Sequence, residues 1–405
     1  MKVTILTQYF EPEIGAAQLR YAALVRQLHR LGHEVTVLTA VPNHPTGRIF
    51  DGYRGKLYST ERTDWGTVHR AWVYPAIGTG LKRYLNFLSF AVTALPMLRF
   101  ARRSDVLIVE TPPITAGAVG MLGSVLTRAE LVVYLADLST NSVKDLDIPG
   151  GKLIARVMDS IERRLYRRAR YVTTVTDGLV RVLNEEYGLP ADKVLMLENG
   201  ADTDTFKPVP LDSGLLEQFG VEEGKYILYA GTHGYAHGLD VALQAAPGLS
   251  ELGLNLLFVG EGSDKERIVE LSRSMGLDNV SFFGQQSPDV VAGLYSGALA
   301  GLSTVRDIQV MRDARPAKLF ACLSCAKPLI YSGAGEGAEL AESSGGAIVA
   351  AAGDPQEIVD AASRLAGDHE LARQMGESGR SFILEKFSWQ YLVAKWADVV
   401  LNDGV

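Results

Sequence analysis

Two doubly wound, Rossmann-like α/β domains of similar size are the fold this sequence predicts. Three observations carry that prediction. Short apolar runs alternate with amphipathic helical stretches from Val3 to Leu197. The same alternation restarts at Tyr226 and continues toward the C-terminal end. Between the two series, Thr205 to Gly224 is irregular and holds Pro208, Pro210, Asp212 and Gly214, the composition of a boundary. The domains are therefore placed at 1–205 and 206–387. The length of 405 residues suits two or three domains. Two such domains facing each other make a cleft, a preferred place for a ligand.

Val3–Thr7 is the first strand. The loop Tyr9 to Ala17 follows, then an amphipathic helix, Leu19 to Leu31, closed by Gly32-His33, and the strand Glu34–Thr39. This is a βαβ unit of ordinary length. Gly15, Ala16 and Ala17 let a ligand approach the backbone. They do not make a G-x-G-x-x-G fingerprint, which disfavours a nicotinamide dinucleotide. The polar connector Pro42 to Tyr53 is long enough to suggest that it binds something. Thr67–Tyr74 reads as a strand. Leu81 to Arg103 reads as one helix, apolar in its middle and basic at its ends through Lys82, Arg83, Arg99, Arg102 and Arg103. A core helix with solvated ends and a surface helix touching anionic lipid are equally consistent with it. The strands Asp105–Val109 and Glu130–Leu135 end in Glu110-Thr111-Pro112-Pro113 and Ala136-Asp137-Leu138, polar edges where open α/β sheets bind ligands. Lys152 to Arg170 is a basic-tailed helix, Tyr171–Val175 a strand, Thr176 a helix cap, and Val194–Leu197 a strand.

In the second series, Tyr226–Ala230 is a strand that runs into the glycine-bearing loop 231–238, and Leu239 to Leu249 is its helix. Leu254–Val259 and Val280–Phe283 are strands ending in Gly260-Glu261-Gly262 and Gly284. Ala298–Leu302 is another. Arg315 to Leu340 reads as a helix, a buried strand (328–331), a glycine-rich loop (332–337) and a helix start. Pro316 suits the first turn of that helix, and Lys318 lies where free N–H groups and the helix dipole favour an anion. An ordinary βα turn also favours glycine, so the loop alone leaves both interpretations open. Ala347–Ala350 is a late strand, followed by helices, the last from Trp389 to Leu401.

A net charge of −7 argues against a nucleic-acid partner. Cys322 and Cys325 give no disulfide framework and suit a reducing cytoplasm. Their C-x-x-C spacing lacks the strand-to-helix context of a redox pair, which favours two small residues on a packed helix. The N-terminal residues show no signal-peptide pattern. No uninterrupted apolar run reaches the roughly 20 residues of a membrane span. The nearest, Tyr84 to Phe100, is broken by Asn86, Ser89, Thr93 and Pro96.

Read together, several stretches resemble a GT-B glycosyltransferase of the retaining family 4, in the branch similar to bacterial fucosamine transferases of surface-polysaccharide assembly. They are Gln8 through Ala17, Gly32 through Val35, Pro42 through Gly47, Asn199 through Asp202 with Phe206, Gly231 through Gly238 and Val259 through Gly262. Phe283-Gly284, Pro316-Ala317-Lys318, Lys327-Pro328 and Gly335-Glu336 complete the set. The resemblance implies that the second domain binds a nucleoside diphosphate sugar and the first a sugar, lipid-linked or small-molecule acceptor. It implies that no metal or other cofactor is required, and that the helix in 388–405 crosses back onto the first domain. The base is expected near Phe283 and Gly284. The diphosphate is expected against Gly15, the Gly231 loop and Lys318. Thr232, His233, His237, Glu261, Leu319 and Glu336 complete the expected donor site. Asp137, Lys318 and His44 are the expected catalytic residues.

Two positions depart from the family pattern. Thr232 and His237 stand where the family places Arg and Lys. The family's E-x7-E pair falls on Asp313 and Ala321, so the ribose contact either moves elsewhere, with Glu336 or Glu339 as the expected replacements, or is lost. The implied reaction is transfer to an acceptor hydroxyl with retention. Alternatives from the same residues are a UDP-sugar 2-epimerase and a non-catalytic sugar-nucleotide-binding subunit serving a partner transferase. The expected location is cytoplasmic, peripheral to an anionic membrane surface.

Overall fold

The computed structural model describes residues 1–13, 15–76, 80–137, 151–312 and 314–402. Contacts divide the chain into two units, one made of Met1–Asn199 with the segment from Leu392 onward, the other of Gly200–Tyr391. The division falls at 199/200 and 391/392, where the sequence predicts 205/206 and 387/388. Backbone pairing explains the difference. Ala201 donates its N–H to Phe387 (2.7 Å) and accepts from Trp389 (3.2 Å), so both segments belong to the second unit. The proline-bearing stretch after Thr205 is then part of that unit, not a boundary.

The first unit is built on an eight-stranded sheet in the order β3-β4-β2-β1-β5-β6-β7-β8. These are β1 (Lys2–Leu6), β2 (Glu34–Ala40), β3 (Tyr58–Arg62), β4 (Gly66–Ala71), β5 (Val106–Thr111), β6 (Glu130–Leu135), β7 (Tyr171–Thr174) and β8 (Val194–Met196). All neighbours are parallel except β3 with β4. β3 is a half-exposed edge strand with charged residues and no apolar run, so the sequence gives no sign of it. β5 is buried along its whole length, as a strand covered on both faces must be. It takes in Glu110 and Thr111, which the sequence predicts beyond the strand. The expected helix 81–103 is an α-helix only over Leu81–Ala94. A 3-10 turn, Leu95–Ala101, follows at Pro96, which lacks the N–H that an α-helix needs. Lys82–Ala101 is, by length and composition, apolar enough to cross a membrane, and a third of it is buried.

The C-terminal helix Trp389–Ala397 leads from the second unit into the first. Trp396 is buried there and donates its indole N–H to Thr173 Oγ1 of β7 (2.8 Å). Trp396→Ala should lower the stability of that unit by about 3–5 kcal/mol. The check is a urea titration followed by circular dichroism, in which the midpoint should fall.

The second unit carries a fully parallel sheet in the order β11-β10-β9-β12-β13-β14. Its strands are β9 (Tyr226–Ala230), β10 (Asn255–Val259), β11 (Val280–Phe283), β12 (Ala300–Thr304), β13 (Leu329–Ser332) and β14 (Ala347–Ala350). Renumbered within the unit this is 3-2-1-4-5-6, the doubly wound order, with its switch point between β9 and β12. Side-chain caps start two helices of the chain: Thr176 Oγ1, predicted as a cap, accepts from Leu179, and Ser287 Oγ, not predicted, accepts from Val290. Cys322 and Cys325 are both buried at the helix Ala317–Ser324. Burial pushes the Cys325 thiol up to about 12 and the Cys322 thiol higher still. This is a packed helix rather than a redox pair.

Candidate active site

In the second unit the switch point brings the loop after β9 beside the helix Ala317–Ser324. A cavity of about 350 Å³ opens at the carboxyl ends of the strands. Of the residues expected in the donor site, Gly231, Thr232, Glu261 and Lys318 line it. Lys318 is the central group. It lies in the first turn of its helix and is buried, with its ammonium 4.8 Å from the Tyr229 ring centroid. Burial lowers its pKa to about 8. Among the described residues no carboxylate pairs with it. Gly231 makes room for this side chain: a Cβ there would stand 3.0 Å from Lys318 Cε, and its φ of +153° suits glycine. A buried ammonium beside a glycine turn, without an anion of its own, is arranged to receive one.

The two histidines do not add fixed charge. His233 is fully buried, its ring 5.8 Å from Tyr229 and 6.0 Å from Phe258. It organises the loop through its backbone, donating to Glu261 O and accepting from Asp264 N, both at 2.9 Å. Burial, then Lys265, holds its pKa down at about 4. Burial and Lys318 do the same to His237. Both are neutral near pH 7, and neither lines the cavity.

Three other expected donor residues stand apart from the cavity. The partly buried Phe283 ring packs against Phe219, 4.6 Å between centroids, at the margin of the hydrophobic core. Leu319 is fully buried in the same core. Glu336 pairs with Arg315 at 2.9 Å. The strand alternation that turns Phe283 inward leaves Gly284 beside Glu261 and puts Gln285 and Gln286 in the wall. Pro288, Val291 and Tyr295 from the next helix, with Phe206, supply an apolar side. Sequence reasoning missed the two glutamines, although their position just past a strand end was the signal. Ala321 lines the cavity as well, and Asp313 lies outside the described residues. No group of three or more His, Cys, Asp or Glu that could hold a metal ion occurs among the described residues.

In the first unit, buried Glu13 organises the connector after β2. Its carboxylate accepts the backbone N–H groups of Asn43 (2.7 Å) and His44 (2.8 Å). His44 is half-buried, edge-on to Tyr9 at 5.9 Å, and its Nδ1 is buried without a partner. Burial and Arg83 lower its pKa, so it is a neutral imidazole at pH 7. Gly15 precedes the helix Ala16–Arg30 with an extended backbone. Asp137 is exposed just beyond β6. Glu110 is not at an open edge: it is buried, accepts from Thr7 Oγ1, and burial raises its pKa to about 7.

Two family models match the chain. The glycosyl transferase 4-like domain covers residues 15–200, and glycosyl transferases group 1 covers residues 216–382. The chain is 29% identical over 304 residues to WcaI of Escherichia coli (strain K12), provisionally named a colanic acid biosynthesis glycosyl transferase. That match spans 73% of this chain and 74% of WcaI. It is 27% identical to an alpha-D-kanosaminyltransferase of Streptomyces kanamyceticus, over 58% of this chain and 62% of that one. Among solved structures, Anabaena Alr3699/HepE in complex with UDP has the same fold, with a TM-score of 0.67, 17% identity, and 99% and 100% of the two chains covered.

Proposed function

We infer, for a chain that belongs to the GT-B glycosyltransferases through its 4-like and group 1 domains, that it moves a sugar from a nucleoside diphosphate donor to an acceptor hydroxyl with retention. The carrying observation is Lys318, a buried ammonium with no carboxylate partner among the described residues, in the wall of the 350 Å³ cavity. The leaving group is a diphosphate, and neutralising its growing charge is the main electrostatic task. Lys318 and the N–H groups of the Gly231 turn perform it, and the scheme calls for no metal. UDP is the first nucleotide to test, since HepE binds it. Attack comes from the donor's own face, guided by the leaving phosphate. The first unit takes the acceptor, with neutral His44 and Asp137 flanking its hydroxyl.

The acceptor is lipid-linked, presented at the cytoplasmic face of a membrane. The helix Leu81–Ala94 turns Leu85, Leu88 and Val92 to solvent, and Val92 is 66% exposed. Spacing of three and four residues puts them on one face. The helix Ile114–Thr127, packed beside it, exposes Leu122, Val125 and Leu126. Lys82, Arg99, Arg102, Arg103 and Arg128 are exposed around these side chains. From Leu81 to Ala129 the acids are Asp105 and Glu110, in a chain of net charge −7. An apolar stripe with a basic border fits an anionic leaflet.

The test incubates the protein with sugar nucleotides and a membrane extract, measuring nucleotide release and the anomeric configuration of the product by NMR. Release that depends on the extract, with a retained anomer, is expected. Inversion would refute retention, and sugar interconversion without acceptor would mark an epimerase. Flotation with phosphatidylglycerol vesicles should retain the protein. Leu88→Glu with Val92→Glu should release it, and binding to anionic vesicles that these changes leave intact would overturn the membrane arm.

A further inference from the structure

A nucleoside diphosphate in this cavity meets a wall of two chemistries. Gly231, Thr232 and Lys318 suit the phosphates, and Pro288, Val291 and Tyr295 belong to its apolar lining. A ribose presents two adjacent hydroxyl donors, and a carboxylate is the natural acceptor for such a pair. The helix Ala317–Ser324 offers no acceptor side chain, since its lining residues are Ala317, Lys318 and Ala321. Among the described lining residues the one carboxylate is Glu261.

Glu261 is held in place from behind. Lys265, four residues on at the start of the next helix, donates to Glu261 Oε1 at 2.7 Å. The same ammonium donates to the carbonyls of Gly260 (2.9 Å) and Phe283 (3.1 Å). Its three hydrogens are thus used on three acceptors. It joins the end of β10 to the end of β11 and aims the carboxylate, and it has no donor left for a phosphate. The absence of a side chain at Gly284 completes the arrangement, because a Cβ there would stand 3.2 Å from Glu261 Oε1. The alternatives for the ribose are poorer: Glu336 is engaged by Arg315 and is absent from the wall.

We propose that Glu261 accepts the ribose hydroxyls of the nucleotide donor, and that Lys265 is the positioning residue that aims it. The proposal rests on the nucleotide-sugar function inferred above. Calorimetric titration of UDP, 2′-deoxy-UDP and inorganic diphosphate into the full chain tests it. The native protein should prefer UDP to 2′-deoxy-UDP by about 10- to 100-fold, the worth of a charge-assisted hydrogen bond. Glu261→Ala should erase that preference and leave diphosphate affinity unchanged. Adding Ala321→Glu to Glu261→Ala should restore the preference, since a carboxylate then returns to the lining from the helix Ala317–Ser324. Lys265→Met should reduce it and Lys265→Arg should keep most of it, a rescue that a merely structural lysine would not produce in the UDP to deoxy-UDP ratio.

If Glu261→Ala keeps the full preference for UDP, the ribose assignment is wrong while the nucleotide function stands. If the native protein binds neither UDP nor GDP, the underlying function fails instead, and the assignment with it.

Discussion

Lys318→Met should abolish donor-dependent transfer while making the empty protein more stable. The activity arm follows from the charge that develops on the leaving diphosphate. Removing one preorganised donor at such a site typically lowers kcat by about 10²–10³-fold. The stability arm follows from burial. Lys318 is 7% exposed, and its pKa is lowered from 10.5 to about 8 by desolvation. A shift of that size corresponds to about 3 kcal/mol of disfavoured ammonium. The sign is fixed by proton counts. Between about pH 8 and 10.5 the unfolded chain holds a proton on this residue that the folded chain has released. Stability of the native protein therefore rises through that window, and the deficit is fully present below pH 8. Lys318→Met removes the deficit and this part of the pH dependence. Thermal midpoints at pH 7 and pH 10, for both proteins, check it. A variant that keeps transfer activity, or melts lower than the native protein at pH 7, refutes this account of the site. Donor affinity of the native protein should also fall above pH 8, as the ammonium is lost.

Gly260→Ala should have the second largest effect, through backbone geometry alone. Gly260 has φ +146°, and a Cβ there would sit 2.0 Å from the carbonyl oxygen of Gly231. That oxygen belongs to the turn beside Lys318, so either the turn moves or the end of β10 does. The expected cost is about 2–4 kcal/mol of stability, together with a fall of more than about tenfold in UDP affinity. Gly253→Ala is the control. It also has positive φ (+69°) but meets nothing within 4 Å, so it carries backbone strain of about 1 kcal/mol and should leave UDP affinity intact. Equal UDP affinities for the two variants would show that the Gly231–Gly260 contact does not shape the site.

The parts of this protein legible in the sequence are those set by local pattern. Tyr226–Ala230 is a buried apolar run and is a strand as predicted. Thr176 is a cap with its acceptor in place. The glycine turn and Lys318 could be paired because open α/β sheets place loops at one edge. What the sequence hid depends on partners distant along the chain. β3 exists because β4 offers an antiparallel edge, not because Tyr58–Arg62 is apolar. Phe283 turns away from the cavity because Phe219 receives its ring. Lys265 looks like an ordinary i,i+4 partner of Glu261, and only the fold brings the Phe283 carbonyl to it. The unit boundary likewise depends on Ala201 pairing with the segment 387–389, some 190 positions away, which no composition shift announces.

The two cysteines, finally, give this chain a silent background for spectroscopy. Both are buried, and burial holds both thiols protonated at neutral pH, so neither offers a thiolate to a maleimide dye. A single cysteine introduced at an exposed position in each unit, Asp51 in the first and Glu370 in the second, would be labelled selectively in the otherwise native sequence. Energy transfer between the two dyes then follows the separation of the units as nucleotide is added, without first stripping the protein of its own thiols.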